Sequence, residues 1–143
     1  MSGTQNTEVA RKFIRMCNEG KLDELKDLVH PDVIWHGMEE INGLADFRQS
    51  MLDDQKFFPD MQFTIVDELE QDNKVVIRWT VKATHKGGFM GLPPIHEEFE
   101  THGVDIYHFE SGKIKEGWEV FDALTPALEF GAVEVVQPKE LKQ

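Results

Sequence analysis

The 143-residue chain is long enough for one domain with its own core and too short for two. Its 27 acidic residues against 15 basic ones give a formal charge of −12, which excludes the basic footprint needed for a nucleic-acid backbone or an anionic membrane surface. The first twenty residues hold no unbroken apolar run, nothing approaches membrane-spanning length, and the single Cys17 has no partner for an internal disulfide, so a soluble protein of the reducing cytoplasm is expected.

Residues 1–6 and about 137–143 read as flexible tails of a single domain spanning 1–143. Residues 7–19 predict an amphipathic helix with Val9, Phe13, Ile14 and Cys17 on one stripe, capped by Asn6 or Thr7 and ended by Gly20. On such a stripe Cys17 is a small core residue, not a nucleophile. A short second helix covers 21–29 and is stopped by Pro31, "DVIWH" (32–36) is a strand entering a Gly-containing loop, and 43–57 is a third helix facing inward through Leu44, Phe47 and Met51. The period then changes from helical to two, giving strands at 61–71, 74–85, 97–109 and 113–122. The loop 86–96, with Gly87, Gly88 and Gly91 around Phe89-Met90, is suited to a lid. A short apolar segment at 123–130 and an edge strand at "VEVVQP" complete the chain. Helices first and antiparallel strands after is an α+β order, in which a curved sheet wraps the helices and leaves a cone with an open mouth.

The hairpin "DIYHFESGKIKEGWE" (105–119) carries the candidate chemistry. A two-residue Ser111-Gly112 turn pairs Glu110 with Lys113 and places Asp105 on the face of Glu116 and Trp118. A three-residue loop, Glu110-Ser111-Gly112, closes Phe109 on Lys113 and places Asp105 with Glu119, Gly103, Tyr107, Gly117 and Phe121. The apolar pattern favours the second, because it gathers Val104, Ile106, Ile114, Trp118 and Val120 on one face. Two carboxyl groups converging in an apolar pocket cannot both ionise easily, so one stays protonated beside a carboxylate base. That pairing suits removal of a proton α to a carbonyl. The opposite face, bearing Trp118, calls for a cover, most simply a second subunit.

"VIWHG" (33–37), "VVIRWTVKATHKGGFMGLPP" (75–94) and "GVDIYHFESGKIKEGWEVFD" (103–122) resemble the SnoaL-like polyketide cyclases, a family of the NTF2-like α+β cone fold, over nearly the whole chain. The resemblance implies an internal pocket where an acid/base pair drives an intramolecular aldol condensation without metal or organic cofactor. It places the family's catalytic aspartate at Glu119 and its histidine partner at Asp105, so that here both positions are carboxylic acids. Another class on this fold, resembling limonene epoxide hydrolase, uses two acids bridged by an arginine. Its arginine position falls at Gly103, and Arg78 is the substitute if it faces inward, which parity leaves open. A non-catalytic small-molecule-binding protein is the remaining alternative.

Asp105 and Glu119 are therefore the candidate catalytic residues. His36, at the end of its strand, is a candidate substrate contact, together with Trp79, Phe63, Phe89, Met90, Tyr107, Phe121 and Arg78; Leu92 is a further apolar candidate. His85 reads as structural, and His102 and His108 fall on the outward parity. The six histidines show no metal-ligand spacing. The expected partners are a small-molecule substrate and a second copy of the chain.

Overall fold

A computed structural model of the chain describes residues 2–87 and 91–141, and nothing structural is stated for the others. Helix α1 (Ser2–Glu19) is longer than predicted. The expected cap at Asn6 or Thr7 gives way to tertiary contacts: the Thr7 amide and hydroxyl both donate to Glu70, and Asn6 is buried inside the helix. A 3-10 turn (Leu22–Glu24) and the single-turn α2 (Leu25–Leu28) replace the expected second helix, burying Leu22, Leu25 and Leu28.

Strand β1 (Val29–His36) starts earlier than predicted and runs through Pro31. The proline is tolerated because the ladder between β1 and its neighbour is interrupted between Val29 and Ile34, where no amide hydrogen is required of it. The loop expected after His36 contains a short edge strand, β2 (Glu40–Asn42). Helix α3 (Leu44–Phe57) follows Gly43, whose φ of 90° suits glycine at this entry.

The four predicted strands are β3 (Gln62–Gln71), β4 (Lys74–Thr84), β5 (Glu98–Glu110) and β6 (Lys113–Phe121). In β4 the period of two is unbroken: Val75, Ile77, Trp79, Val81 and Ala83 are buried while Lys74, Arg78 and Lys82 are exposed. The six strands form one unclosed, curved sheet in the order β2-β1-β6-β5-β4-β3, antiparallel except where β1 runs parallel to β6. Helix α1 packs on β3 and β4, and α3 packs on β1. Val29, Val33, Leu25, Ile77 and Ile114 are almost wholly buried between these layers, each contributing about 1.5–3 kcal/mol by leaving water. The apolar segment 123–130 contains α4 (Leu124–Glu129). The expected edge strand at 133–138 does not form: Val135 is exposed without a strand partner, and Pro138 opens α5 (Pro138–Leu141). Among the described residues no helix is long and apolar enough to cross a membrane.

Candidate active site

The β5–β6 hairpin reaches the expected shared face by a different route and with a different pairing. Ser111 (φ 53°) and Gly112 (φ 78°) both lie in the left-handed region and make a two-residue turn that closes Glu110 on Lys113. Phe109 then pairs with Ile114 and His108 with Glu116, so Lys115 is an extra residue in β6. This β-bulge restores the parity that a three-residue loop would have supplied. Beyond it Asp105 lies directly opposite Glu119, Tyr107 opposite Gly117 and Gly103 opposite Phe121. Ile114 lies on the near side of the bulge and faces the core, not the outer face shared by Trp118 and Val120.

Asp105 and Glu119 both open into a cavity of about 470 Å³ between the sheet and helices α1 and α3. Directly opposed residues on neighbouring strands have Cβ atoms about 4.5–5.5 Å apart, so the two carboxyl groups are close neighbours. Asp105 is 2% exposed, and its Oδ2 accepts a 2.6 Å hydrogen bond from the Tyr107 hydroxyl. Its Oδ1 is buried without a partner, as is the Trp79 indole Nε1. Burial raises the Asp105 pKa; the Tyr107 hydroxyl and, to a smaller extent, the Trp79 N–H hold it down to about 6. Glu119, half-buried and without such donors, is raised further, to about 8, by burial and by the charges of Asp105 and Asp54.

The glycines opposite these residues make room for rings. A Cβ on Gly103 would come within 2.6 Å of the Trp79 ring, and one on Gly117 would overlap the Trp35 ring. Trp79 meets Phe63 edge-on at 4.9 Å and approaches Phe121 at 6.5 Å, forming one apolar wall. Trp35, Phe47 and Phe13 form another, with the Trp35 and Phe47 centroids 5.1 Å apart.

Of the residues expected to contact a ligand, Trp79, Phe63 and Phe121 line the cavity. Tyr107 is fully buried behind Asp105 and touches its carboxylate instead of the open space. Two expectations are corrected. His36 faces the other side of the sheet, where its ring stacks on Trp118 at 5.1 Å and its Nε2 lies 2.7 Å from Glu116 Oε2. Arg78, opposite Val104, is on that outer side too, with its Nε donating to Asp67 at 2.8 Å. Phe89 and Met90 lie outside the described residues, and Leu92 is not among those lining the cavity. His85 is buried between the rings of Phe58 and Phe130, at 5.9 and 5.8 Å.

Two lining acids escaped the sequence reading. Asp54 of α3 enters the cavity near its mouth, seven residues after Phe47 on the same helical stripe. A carboxylate on the stripe of Phe47 and Met51 was the available signal. Enclosure pushes Asp54 up to about 6, Asp53 adds to the rise, and solvent at the mouth screens part of it. Glu39, in the turn between β1 and β2, is the other. Cys17 also lines the cavity; burial, with Asp105 and Glu119 adding to the effect, raises its thiol pKa strongly and keeps it protonated. Among the described residues no group of three or more His, Cys, Asp or Glu is arranged to hold a metal ion.

The family model for SnoaL-like polyketide cyclases matches residues 7–129. The chain belongs to this family. Among solved structures, the fold of this SnoaL-like protein is similar to that of AclR from Streptomyces galilaeus, which has been proposed as a hydroxylase. The two share 26% identity and a TM-score of 0.81 over 97% of this chain and 93% of that one. IdmH from Streptomyces antibioticus, proposed as a polyketide cyclase, shares 27% identity with a TM-score of 0.75 over 90% and 99%. TsrD from Streptomyces laurentii, at 22% identity and a TM-score of 0.83 over 91% and 97%, shows the same NTF2-like fold. No curated protein matches the sequence. Membership of the family supports a role of the cyclase or isomerase type.

Proposed function

We propose that the protein is a cofactor-independent acid/base enzyme that removes a proton α to the carbonyl of a small, largely apolar compound, in an aldol-type cyclisation or an isomerisation. The observation that carries this reading is the direct opposition of Asp105 and Glu119 in one apolar cavity. The different neighbours of the two acids suggest their roles. Asp105 accepts the Tyr107 hydroxyl and ionises first, so it serves as the base; Glu119, lacking such a donor, keeps its proton and gives it to the developing enolate oxygen. When the enol reacts, its hydroxyl proton returns to Glu119 as the carbonyl re-forms, and Asp105 passes the proton it took either to carbon or to the product alkoxide, which leaves the pair as it began. The likeness to IdmH supports a cyclisation.

The epoxide-hydrolase alternative lacks its bridging arginine, since Arg78 is held on the outer face by Asp67. The outer face, with Val120 and Ile106 exposed around Trp118, is the surface on which a second copy would pair, and sedimentation checks that assembly. The reducing cytoplasm suits the protonated Cys17.

Asp105→Asn and Glu119→Gln test the chemistry on a panel of aromatic keto esters. Each is expected to lower turnover by about 10²–10⁴-fold while ligand affinity changes little. Unchanged turnover in both variants, or a binder that never turns over, would remove the catalytic assignment.

A further inference from the structure

The walls of the cavity carry ten aromatic side chains and four carboxyl groups, those of Glu39, Asp54, Asp105 and Glu119. Among the described lining residues there is no lysine, arginine or histidine to balance the acids. A site for a carboxylate, sulfate or phosphate presents the reverse, with basic side chains and free amide donors. Among the described residues the buried Asp105 Oδ1 accepts no hydrogen bond of ordinary geometry, and neither does the Trp79 indole Nε1 beside it donate one.

The acids are graded by depth. Asp105 is buried and Glu119 half-buried, whereas Asp54 and Glu39 are exposed. Water reaches the outer pair, while the inner pair lies in the apolar depth of the cavity. Aromatic faces present negative charge density to a ligand, and Trp79 and Trp35 are the strongest of these. A low-dielectric cleft in a chain of charge −12 concentrates that negative potential and draws in cations.

We propose that the cavity takes a lipophilic amine, with an apolar, carbonyl-bearing body against the aromatic walls and a protonated nitrogen held near the mouth by Asp54. The nitrogen belongs at the mouth because an ammonium between Asp105 and Glu119 would ionise both and remove the proton that Glu119 is to donate. Asp54 is the anchor closer to the chemistry, since its charge acts on Glu119. The inference rests on the acid/base reading for the fate of the body, and on the lining alone for the charge of the ligand.

Three probes of nearly one shape separate the cases by calorimetry on the full chain at pH 7: 2-naphthylmethylamine, 2-naphthylmethanol and 2-naphthoate. The amine is expected to bind about tenfold more tightly than the alcohol, and the naphthoate most weakly. Asp54→Asn, checked by its melting curve, is expected to erase most of the amine's advantage and leave the alcohol's affinity unchanged. The proposal fails if the alcohol or the naphthoate binds as tightly as the amine, or if none of the three binds. It also fails if the amine's advantage survives Asp54→Asn. Nothing turns over in this assay, so its failure would leave the acid/base reading standing. Normal turnover in the Asp105 and Glu119 variants would likewise leave the charge preference standing.

Discussion

The two faces of β5 and β6 use similar polar residues to opposite ends. On the outer face His36 of β1 lies between Glu116 and Glu40, stacked on Trp118, with solvent around all three polar side chains. On the inner face Asp105 and Glu119 oppose each other, with the Tyr107 hydroxyl bonded to Asp105 and apolar rings around the pair. Enclosure makes the difference. Two carboxylates a few ångströms apart in water repel by only about 1 kcal/mol, whereas in an enclosed apolar cavity the pair competes for one charge. The inner face relaxes its charges into water less readily than the outer face, and that is why the proposed chemistry is assigned to it.

The sharpest way to break that contrast is to fill the space under the inner face. Gly117→Val would drive its side chain into the buried Trp35 ring, and a loss of about 3 kcal/mol is expected in urea unfolding. A destabilisation under 1 kcal/mol would mean that the ring has somewhere to go.

A smaller effect, opposite in sign, is expected from the acids themselves. Both are raised in the folded protein above their unfolded values near 4. Their contribution to stability is therefore fully present below about pH 4 and is lost as the pH rises through about 6 and about 8. Glu119→Gln should then be more stable than the parent at pH 8.5, by about 1–2 kcal/mol, while losing activity. Denaturant midpoints measured from pH 4 to 9 decide it; a parent whose stability climbs with pH would contradict the burial of the pair.

Tyr107→Phe removes the hydrogen bond that favours the Asp105 carboxylate. The acidic limb of the kcat/KM profile should move up by about one pH unit, with the alkaline limb nearly unmoved. Least of all is expected from the outer face. His36→Ala and Arg78→Ala should each change stability by at most about 0.5 kcal/mol and turnover by less than about twofold. A large loss of turnover in either would show that the outer face communicates with the cavity.

Much of this was legible in the strands. The alternation of β4 and the apolar faces of β5 and β6 placed Asp105 with Glu119 and set Trp118 on the other side. The turn itself was misread, because a two-residue turn followed by a bulge at Lys115 gives the same parity as a three-residue loop. Arg78 was open to either face until its neighbour across the ladder, Val104, was known. His36 followed its own strand to the outer side, beyond the reach of a resemblance drawn at that position. Asp54 stayed hidden because a helical stripe says which residues face inward, not which strand residues they meet.

The chain by itself determined the family, the strand pattern and the shared face of the two acids, since backbone pleating ties each side chain's direction to its immediate neighbours. Packing alone decided that the common face is the one that lines the cavity, that α3 brings a third carboxyl group to its mouth, and that glycine 117 yields its place to an indole ring. Those outcomes depend on contacts between residues far apart in sequence, where desolvation and steric fit are settled by the assembled whole.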